Sequence, residues 1–440
     1  MTDRQMILGM QLGNGYGTQP TAWRAPGVDP SNYTSFDALV RYARSAERGK
    51  VAFLFFPDFL AQIGEGHDHE APMLTLEPMI TLAAIARETE RIGLVATGST
   101  TFNEPYNIAR SFKALDVMSH GRVGWNAVTT SDPAAAANFG RQIAPRPERY
   151  QRAHEVIQMT QALWGSWERD AWLKDTATPR FVDSSKIRPI NLSGKYVAST
   201  GPLAIPPSEQ GQPVIVSAGG GEYGLEIAGR YASAVIGAVF TIEDAKAQRA
   251  AVRAAAERAG RDPDEVKFFA GVMPAIARTK REALDRRLAL GEQSFASRVP
   301  YLGAMLGLPL TAEQIDRPLT SDELATARAH PGDPRSARAL EVAREGWTIR
   351  ETLAHGVIDY HPTPIGPAST TADHLQTWFE AGAADGFWVA IDIYEDGIDT
   401  FVDEVVPILQ ERGLYHRDYE GPTLRDNLGV PDQYGLDPRV

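Results

Sequence analysis

Eight short apolar runs recur along the chain, at 6–12, 51–56, 92–97, 123–128, 214–218, 234–240, 267–276 and 386–391. They are apolar almost throughout instead of alternating, which marks strands covered on both faces, as in parallel sheets. Segments with helical spacing separate them. Phe36 to Arg48 is amphipathic and closed by Gly49, and similar patterns cover Leu76–Glu90, Pro105–Ser119, Glu148–Trp167 and Glu222–Arg230. A long Ala/Arg/Glu segment reaches Ala259, and Thr371–Ala381 and Ile398–Arg412 flank the last run. Alternating strands and helices give an α/β fold. An open doubly wound sheet is one solution; the count of eight favours a closed (β/α)8 TIM barrel. The expected organisation is one barrel domain over 1–440, with insertions near 166–213 and 279–365 and an extended arm over 413–440.

A formal net charge of −12 and the lack of any long Lys/Arg run argue against a nucleic-acid surface. With no cysteines, disulfides, thiolate nucleophiles and Cys-based metal sites are excluded. His67 and His69 lie in an acidic loop without a helical Glu-x-x-His, so no metal site is expected. His355 and His361 flank a turn and read as loop histidines that face substrate only as a lesser alternative. The start, MTDRQMILGM, lacks a basic segment followed by a long apolar core, so no secretory signal is expected, and no run of 18 apolar residues exists to span a membrane. The expected setting is cytoplasmic.

In a barrel of this kind the chemistry sits at the carboxyl ends of the strands. The stretch from Arg91 to Ser131 shows this most clearly. One apolar run stops at Ser99-Thr100-Thr101, a helix follows, and a second run carries Asn126 and stops at Thr129-Thr130-Ser131. No Gly-x-Ser-x-Gly elbow and no Walker loop is present. Asp58, Glu104 and Asp392 could supply two carboxylates for glycoside chemistry, but acidic strand ends are common in barrels. Hydrogen-bonding groups beside aromatics, with no evident nucleophile, suit a cofactor that brings its own reactivity. Ser217-Ala218-Gly219-Gly220-Gly221 runs straight into a helix, and free N–H groups there attract a phosphate; the alternative is a tight strand-to-helix turn. The spacing is not Gly-x-Gly-x-x-Gly, so one phosphate fits better than a dinucleotide.

Ser99-Thr100-Thr101, Glu104-Pro105-Tyr106, Ala109-Arg110 and the string from Ser119 to Thr130 together resemble the nitrilotriacetate monooxygenase and dibenzothiophene-sulfone monooxygenase family. That family is a branch of the bacterial-luciferase-like flavin-dependent monooxygenases. The resemblance covers nearly the whole chain and implies the same barrel with loop insertions. It implies a two-component enzyme that takes FMN as FMNH2 from a separate NAD(P)H:flavin reductase. With O2, such an enzyme oxygenates a small N-, S- or heterocyclic substrate and cleaves a C–N or C–S bond. A homodimer or homotetramer is implied as well. Residue by residue, the resemblance puts Asp58, Thr100 and Asn126 at the flavin ring. Arg146, Tyr150 and the amides of Gly220, Gly221 and Glu222 fall at the phosphate. Asn126 and Asp58 are the nearest catalytic candidates. Trp23, Phe59, Trp125 and Phe139 are expected as apolar walls.

Several departures stand out. Gly221 replaces a serine, Arg146 replaces a frequent histidine, Ser233 replaces an aspartate, and Thr18-Gln19-Pro20-Thr21 lacks a histidine common before Ala-Trp-Arg. Two other readings share the fold class: an F420-type deazaflavin-dependent dehydrogenase and a non-catalytic flavin-binding protein.

Overall fold

The computed structural model describes residues 4–437 apart from Asn14, 63–67, 73–75 and Gln293. His67 therefore lies outside the described residues, as does part of the loop that holds it. All eight apolar runs form strands of one closed parallel barrel. They are β1 (Ile7–Gln11), β2 (Phe53–Phe56), β3 (Gly93–Ser99), β4 (Val123–Val128), β5 (Val214–Ala218), β6 (Ala234–Gly237), β7 (Lys267–Val272) and β8 (Gly386–Val389). Each strand pairs with the next in sequence, and β1 pairs with β8 to close the ring. The open-sheet alternative is thereby excluded.

Helices cover the outside: α1 (Phe36–Arg48), α2 (Pro78–Glu88), α3 (Pro105–Met118), α4 (Arg146–Trp164), α5 (Glu222–Tyr231), α6 (Ile242–Arg258) and α7 (Ala368–Glu380). α1 begins where the Ser35 hydroxyl accepts from the Ala38 N–H and ends at Gly49, the boundary its sequence indicates. The last helical stretch runs from Tyr394 to Glu411 with a π turn at Phe401–Val405. Pro407 follows that turn, where a missing N–H is easily accommodated.

The segment between α4 and β5 carries two small antiparallel hairpins, Trp172–Asp175 with Arg180–Val182 and Leu192–Ser193 with Ala198–Ser199. The segment between β7 and α7 is helical and has a separate apolar cluster built on Phe295, Val299, Leu302, Leu340 and Leu353.

Inside the barrel, alternation along each strand sends Phe53, Val95, Val214 and Phe269 into the ring. At the lower end, Leu424, Leu428 and Val430 of the carboxyl-terminal segment join them as a plug. A Cβ on Gly93 would lie 2.6 Å from Leu424, so glycine there makes room for the plug. Lys113, Asp116, Gln210 and Arg425 lock it in place. Asp116 accepts from Ser208 Oγ, from Gln210 Nε2 at 2.6 Å and from the Val123 N–H at 3.1 Å. The Arg425 guanidinium donates to the carbonyls of Gln212 and Pro431. The tail from Gly413, read from sequence as an extended arm, thus packs Tyr415, Leu424, Leu428 and Val430 against its own barrel, while Leu436 stays exposed. Among the described residues no helix is long and apolar enough to cross a membrane.

Candidate functional site at the upper rim of the barrel

Trp125 and Ala127 of β4 point outward into the helical layer, so Asn126 between them points inward. Its neighbour in register is Thr97 of β3. The Asn126 Nδ2 donates to Thr97 Oγ1 at 2.9 Å. Its Oδ1 is buried and has no partner. Turning the amide over would only exchange which atom is left alone. A buried amide oxygen of this kind calls for a donor from a ligand, such as a ring N–H.

The tips of β3 and β4 are cross-braced. Ser99 Oγ lies 2.7 Å from Thr130 Oγ1, and the Asn103 amide donates to the Ser99 carbonyl. Thr100 is buried, and both its N–H and its hydroxyl donate to the Val128 carbonyl at 2.9 Å. Its hydroxyl hydrogen holds the scaffold, which leaves only lone pairs to a ligand. Asp58 follows β2 on the same rim and is half-buried. Burial pushes its carboxyl up to about 6, and the neighbouring Glu77 adds to the shift. Glu77 accepts from the Ile80 N–H as the cap of α2. Asp58 is therefore poised between donor and acceptor near neutral pH.

A second group lies at β5, the next strand of the ring after β4. Gly219 and Gly221 have φ of +100° and +88°, conformations that strain any other residue. They turn the chain from β5 into α5, whose N-cap, Gly221, has no side chain to satisfy the first amides of the helix. Tyr223 of that first turn stacks on Tyr150 of α4, centroids 5.1 Å apart. The Arg146 guanidinium lies over both rings, at 5.7 and 5.6 Å, and a Cβ on Gly221 would sit 3.4 Å from its Nη2. Many arginines of this acidic chain meet a carboxylate; no hydrogen bond or ion pair engages Arg146 among the described residues. A cation held by two tyrosines beside open amides is suited to a phosphate. Of Glu222 only the amide is suited to an anion, since a carboxylate would repel one. Gly220 packs near Gln248, which donates to the Gly219 carbonyl and steadies the loop.

The structure thus brings Arg146, Tyr150 and Tyr223 together at Gly221, and it sets Asn126 inside β4, the strand next to β5, and Thr100 just after β3. It does not make Trp125 a wall of the site. That ring is fully buried outside the barrel between Phe112 and Trp164, its N–H donating to the Gly98 carbonyl, because alternation gives the inward position to Asn126. Trp23 donates to the His69 carbonyl and packs in a peripheral cluster with Tyr16 and Tyr33. Phe139 stacks on Phe102 at 4.4 Å and stays partly exposed, as does Phe59. The carboxylates Glu104 and Asp392 are engaged by Arg152 and Arg286. Thr97, Tyr223 and Trp388 also belong to the rim, beyond the residues expected from sequence. Thr97 is legible as the inward neighbour of Asn126, while Tyr223 and Trp388 carry no signal of their own.

The inventory fits a flavin mononucleotide: an orphaned amide for a heterocyclic ring, and a cation with free amides for one phosphate. Residues 15–385 match the family model described as luciferase-like monooxygenase. The N-acetyl-S-(2-succino)cysteine monooxygenase of Bacillus subtilis (strain 168) is 36% identical over 437 residues, 97% of each chain. The dibenzothiophene-sulfone monooxygenase of Rhodococcus erythropolis is 36% identical over 422 residues, 93% of each chain. The solved EDTA monooxygenase from Chelativorans sp. BNC1 superposes with a TM-score of 0.81 at 31% identity, covering 99% of this chain and 100% of that one. Deazaflavin-dependent proteins match at only 14–17% identity and share the fold alone, so the dehydrogenase reading falls behind. The relatives are named as enzymes, and the storage reading falls behind as well. The chain belongs to the luciferase-like monooxygenase family, and it is a flavin-dependent monooxygenase.

Proposed function

We propose that the protein is the oxygenase of a two-component system that binds FMN in its reduced form, FMNH2, supplied by a separate NAD(P)H:flavin reductase. It joins O2 to a small organic N-, S- or heterocyclic substrate and cleaves a C–N or C–S bond. The observation that carries this reading is Arg146, held over Tyr150 and Tyr223 beside the glycine amides at the start of α5. The relatives are named for N-acetyl-S-(2-succino)cysteine, dibenzothiophene sulfone and EDTA, compounds of sulfur or nitrogen, which supports the range. We take the cytoplasm as its setting, because a reductase must regenerate the cofactor nearby, and a homodimer or homotetramer as its assembly.

When bound, reduced flavin supplies the electrons that activate O2. The residues of this chain bind and orient it. Arg146, the Tyr150 hydroxyl and the amides of Gly220, Gly221 and Glu222 hold the phosphate. Asn126 Oδ1 accepts from the ring, and Asp58 accepts or donates according to its protonation. Thr100 fixes the spacing of the β3 and β4 tips through Val128. The stacked Phe102 and Phe139 form an apolar edge that keeps water from the mouth.

Titration with FMN and riboflavin, oxidised and reduced, tests the assignment. FMN should bind at least tenfold more tightly than riboflavin, because only FMN carries the phosphate. Equal binding of the two, or no binding of either, sinks the phosphate site. Oxygen uptake with a general flavin reductase and a panel of sulfones, thioethers and tertiary amines then tests turnover.

A further inference from the structure

The β7–β8 wall of the barrel mouth carries polar groups that cofactor binding leaves unused. Gly271 of β7 pairs in register with Trp388 of β8. Alternation with Phe269 turns Gly271 into the barrel, where Trp388 also lies. A Cβ on Gly271 would fall 2.2 Å from the ring of His361. The strand thus lacks a side chain where the imidazole enters. His361 is 2% exposed, and its ring lies 5.2 Å from that of Trp388 at 68°. Neither ring nitrogen of His361 has a hydrogen-bond partner, nor has Trp388 Nε1. Beside His361 a cavity of about 670 Å³ is lined by Phe240, Val357 and Trp378, by the charged Lys280, Arg335, Arg338 and Glu341, and by His355, whose Nε2 is likewise alone.

The cations around this wall and along that cavity are already met: Lys280 pairs with Glu345 and Arg338 with Glu341. Arg287 pairs with Asp359, Arg335 with Asp333 and with the carbonyls of Ile358 and Asp359, and Arg286 with Asp392 and Asp396. Burial holds the His361 imidazole down at about 4, so it is neutral at physiological pH. A carboxylate brought here would find no unpaired cation, and burying an unpaired charge is strongly unfavourable. Neutral hydrogen-bonding groups left without partners are themselves costly, and a ligand that satisfies them gains selectivity over one that does not.

We propose that the β7–β8 wall is the substrate-recognising side of the mouth. It takes an uncharged sulfur or nitrogen compound, an apolar body with one polar function such as a sulfone, held by the His361 imidazole and the Trp388 N–H. This rests on the flavin-dependent oxygenase reading above and adds the substrate class. The resemblance to enzymes of polycarboxylates does not carry over to this wall, because each cation along it already has a carboxylate partner.

The test measures coupled product formation by the wild-type enzyme, FMN and a flavin reductase. Dibenzothiophene sulfone and dimethyl sulfone are compared with nitrilotriacetate and EDTA. The expected result is kcat/KM at least tenfold higher for a sulfone. His361→Phe and Trp388→Phe should each lower that value at least tenfold, mainly through KM. FMN affinity should stay unchanged and the melting temperature unchanged or higher, because each change removes an unpaired buried polar group. Polycarboxylate turnover equal to or above that of the sulfones, or no sulfone turnover, overturns the proposal. So do variants that keep wild-type KM, or a melting temperature lowered by His361→Phe with Trp388→Phe silent. Failure of the wild type to bind FMN at all sinks the cofactor reading, whereas FMN binding with the wrong substrate preference sinks only this one.

Discussion

The two ends of the barrel treat buried polar groups in opposite ways. At the lower end, Lys113 donates to the Gly211 carbonyl, Asp116 accepts from three donors, and Arg425 of the tail donates to the Gln212 and Pro431 carbonyls. Gln212 Oε1 is the exception there. At the upper end, Asn126 Oδ1, both nitrogens of His361 and Trp388 Nε1 are buried and unpartnered. Both ends have similar apolar surroundings, so burial alone does not distinguish them. Satisfaction does. A satisfied polar network at a barrel floor fixes a structure. Orphaned groups at the mouth indicate partners that arrive from outside.

The largest effect should come from breaking the floor. Asp116→Ala leaves Ser208, Gln210 and the Val123 N–H without this acceptor, and buried Lys113 without its neighbouring counter-charge. It should lower stability by about 3–5 kcal/mol, the usual cost of removing one partner of a buried charged network. Urea or thermal denaturation followed by circular dichroism measures this. FMN affinity, read below the melting temperature, should be unaltered. If the mutation is mild, or if it abolishes FMN binding in protein that is still folded, the division between a structural floor and a ligand-binding mouth fails.

The next effect sharpens the mouth. Arg146→Ala should weaken FMN about 10- to 100-fold, the scale of about 1.5–3 kcal/mol for a hydrogen bond to a charged group. Riboflavin binding should hardly change, and melting of the apo-protein should move little, because Arg146 pairs with no carboxylate among the described residues. Fluorescence titration at low and high salt checks it, and the wild-type affinity should fall with salt more steeply than that of the variant. A parallel loss of riboflavin affinity would show instead that Arg146 supports the ring site through Tyr150.

How much of this is legible in the sequence follows the same division. The eight strands are readable because both faces of each are buried, which gives unbroken apolar runs. The closing pair, β1 with β8, cannot be read, since no local pattern records which strands meet across the length of the chain; only the count of eight implies it. The start of α5 after three glycines is readable because backbone freedom is a property of the residue itself. The expectation of Trp125 as a wall fails on a pattern already in the sequence, since the alternation that puts Asn126 inward puts its neighbour outward. The role of the tail is illegible because its plug residues Leu424 and Leu428 look like any short amphipathic turn. The barrel they fill lies far back in the chain, at Val95 and Gly124. His361 reads as a loop histidine because its loop position is visible in sequence and its entry over Gly271 is not.

The smallest effect concerns Asp58, at the edge between the two behaviours, since it is only half-buried. Its carboxyl is pushed up to about 6 in the folded protein by burial and then by Glu77, against about 3.9 in an unfolded chain. Between these two values the native state binds the proton and the unfolded state does not. Stability therefore falls as pH rises through about 4 to 6, and above that window the full penalty is present. Asp58→Asn removes the titration, so the variant should match the wild type near pH 4 and exceed it at pH 7.5. The gain should be about 1 kcal/mol once solvent screening at a half-exposed site is allowed for. Thermal melts of both proteins at the two pH values measure the difference. A gain at pH 4 as large as at pH 7.5 would mean that the introduced amide packs better and that the carboxyl does not titrate in this window. A loss at pH 7.5 would mean that Asp58 makes a native contact in its charged form, which would group it with the satisfied floor and not with the waiting mouth.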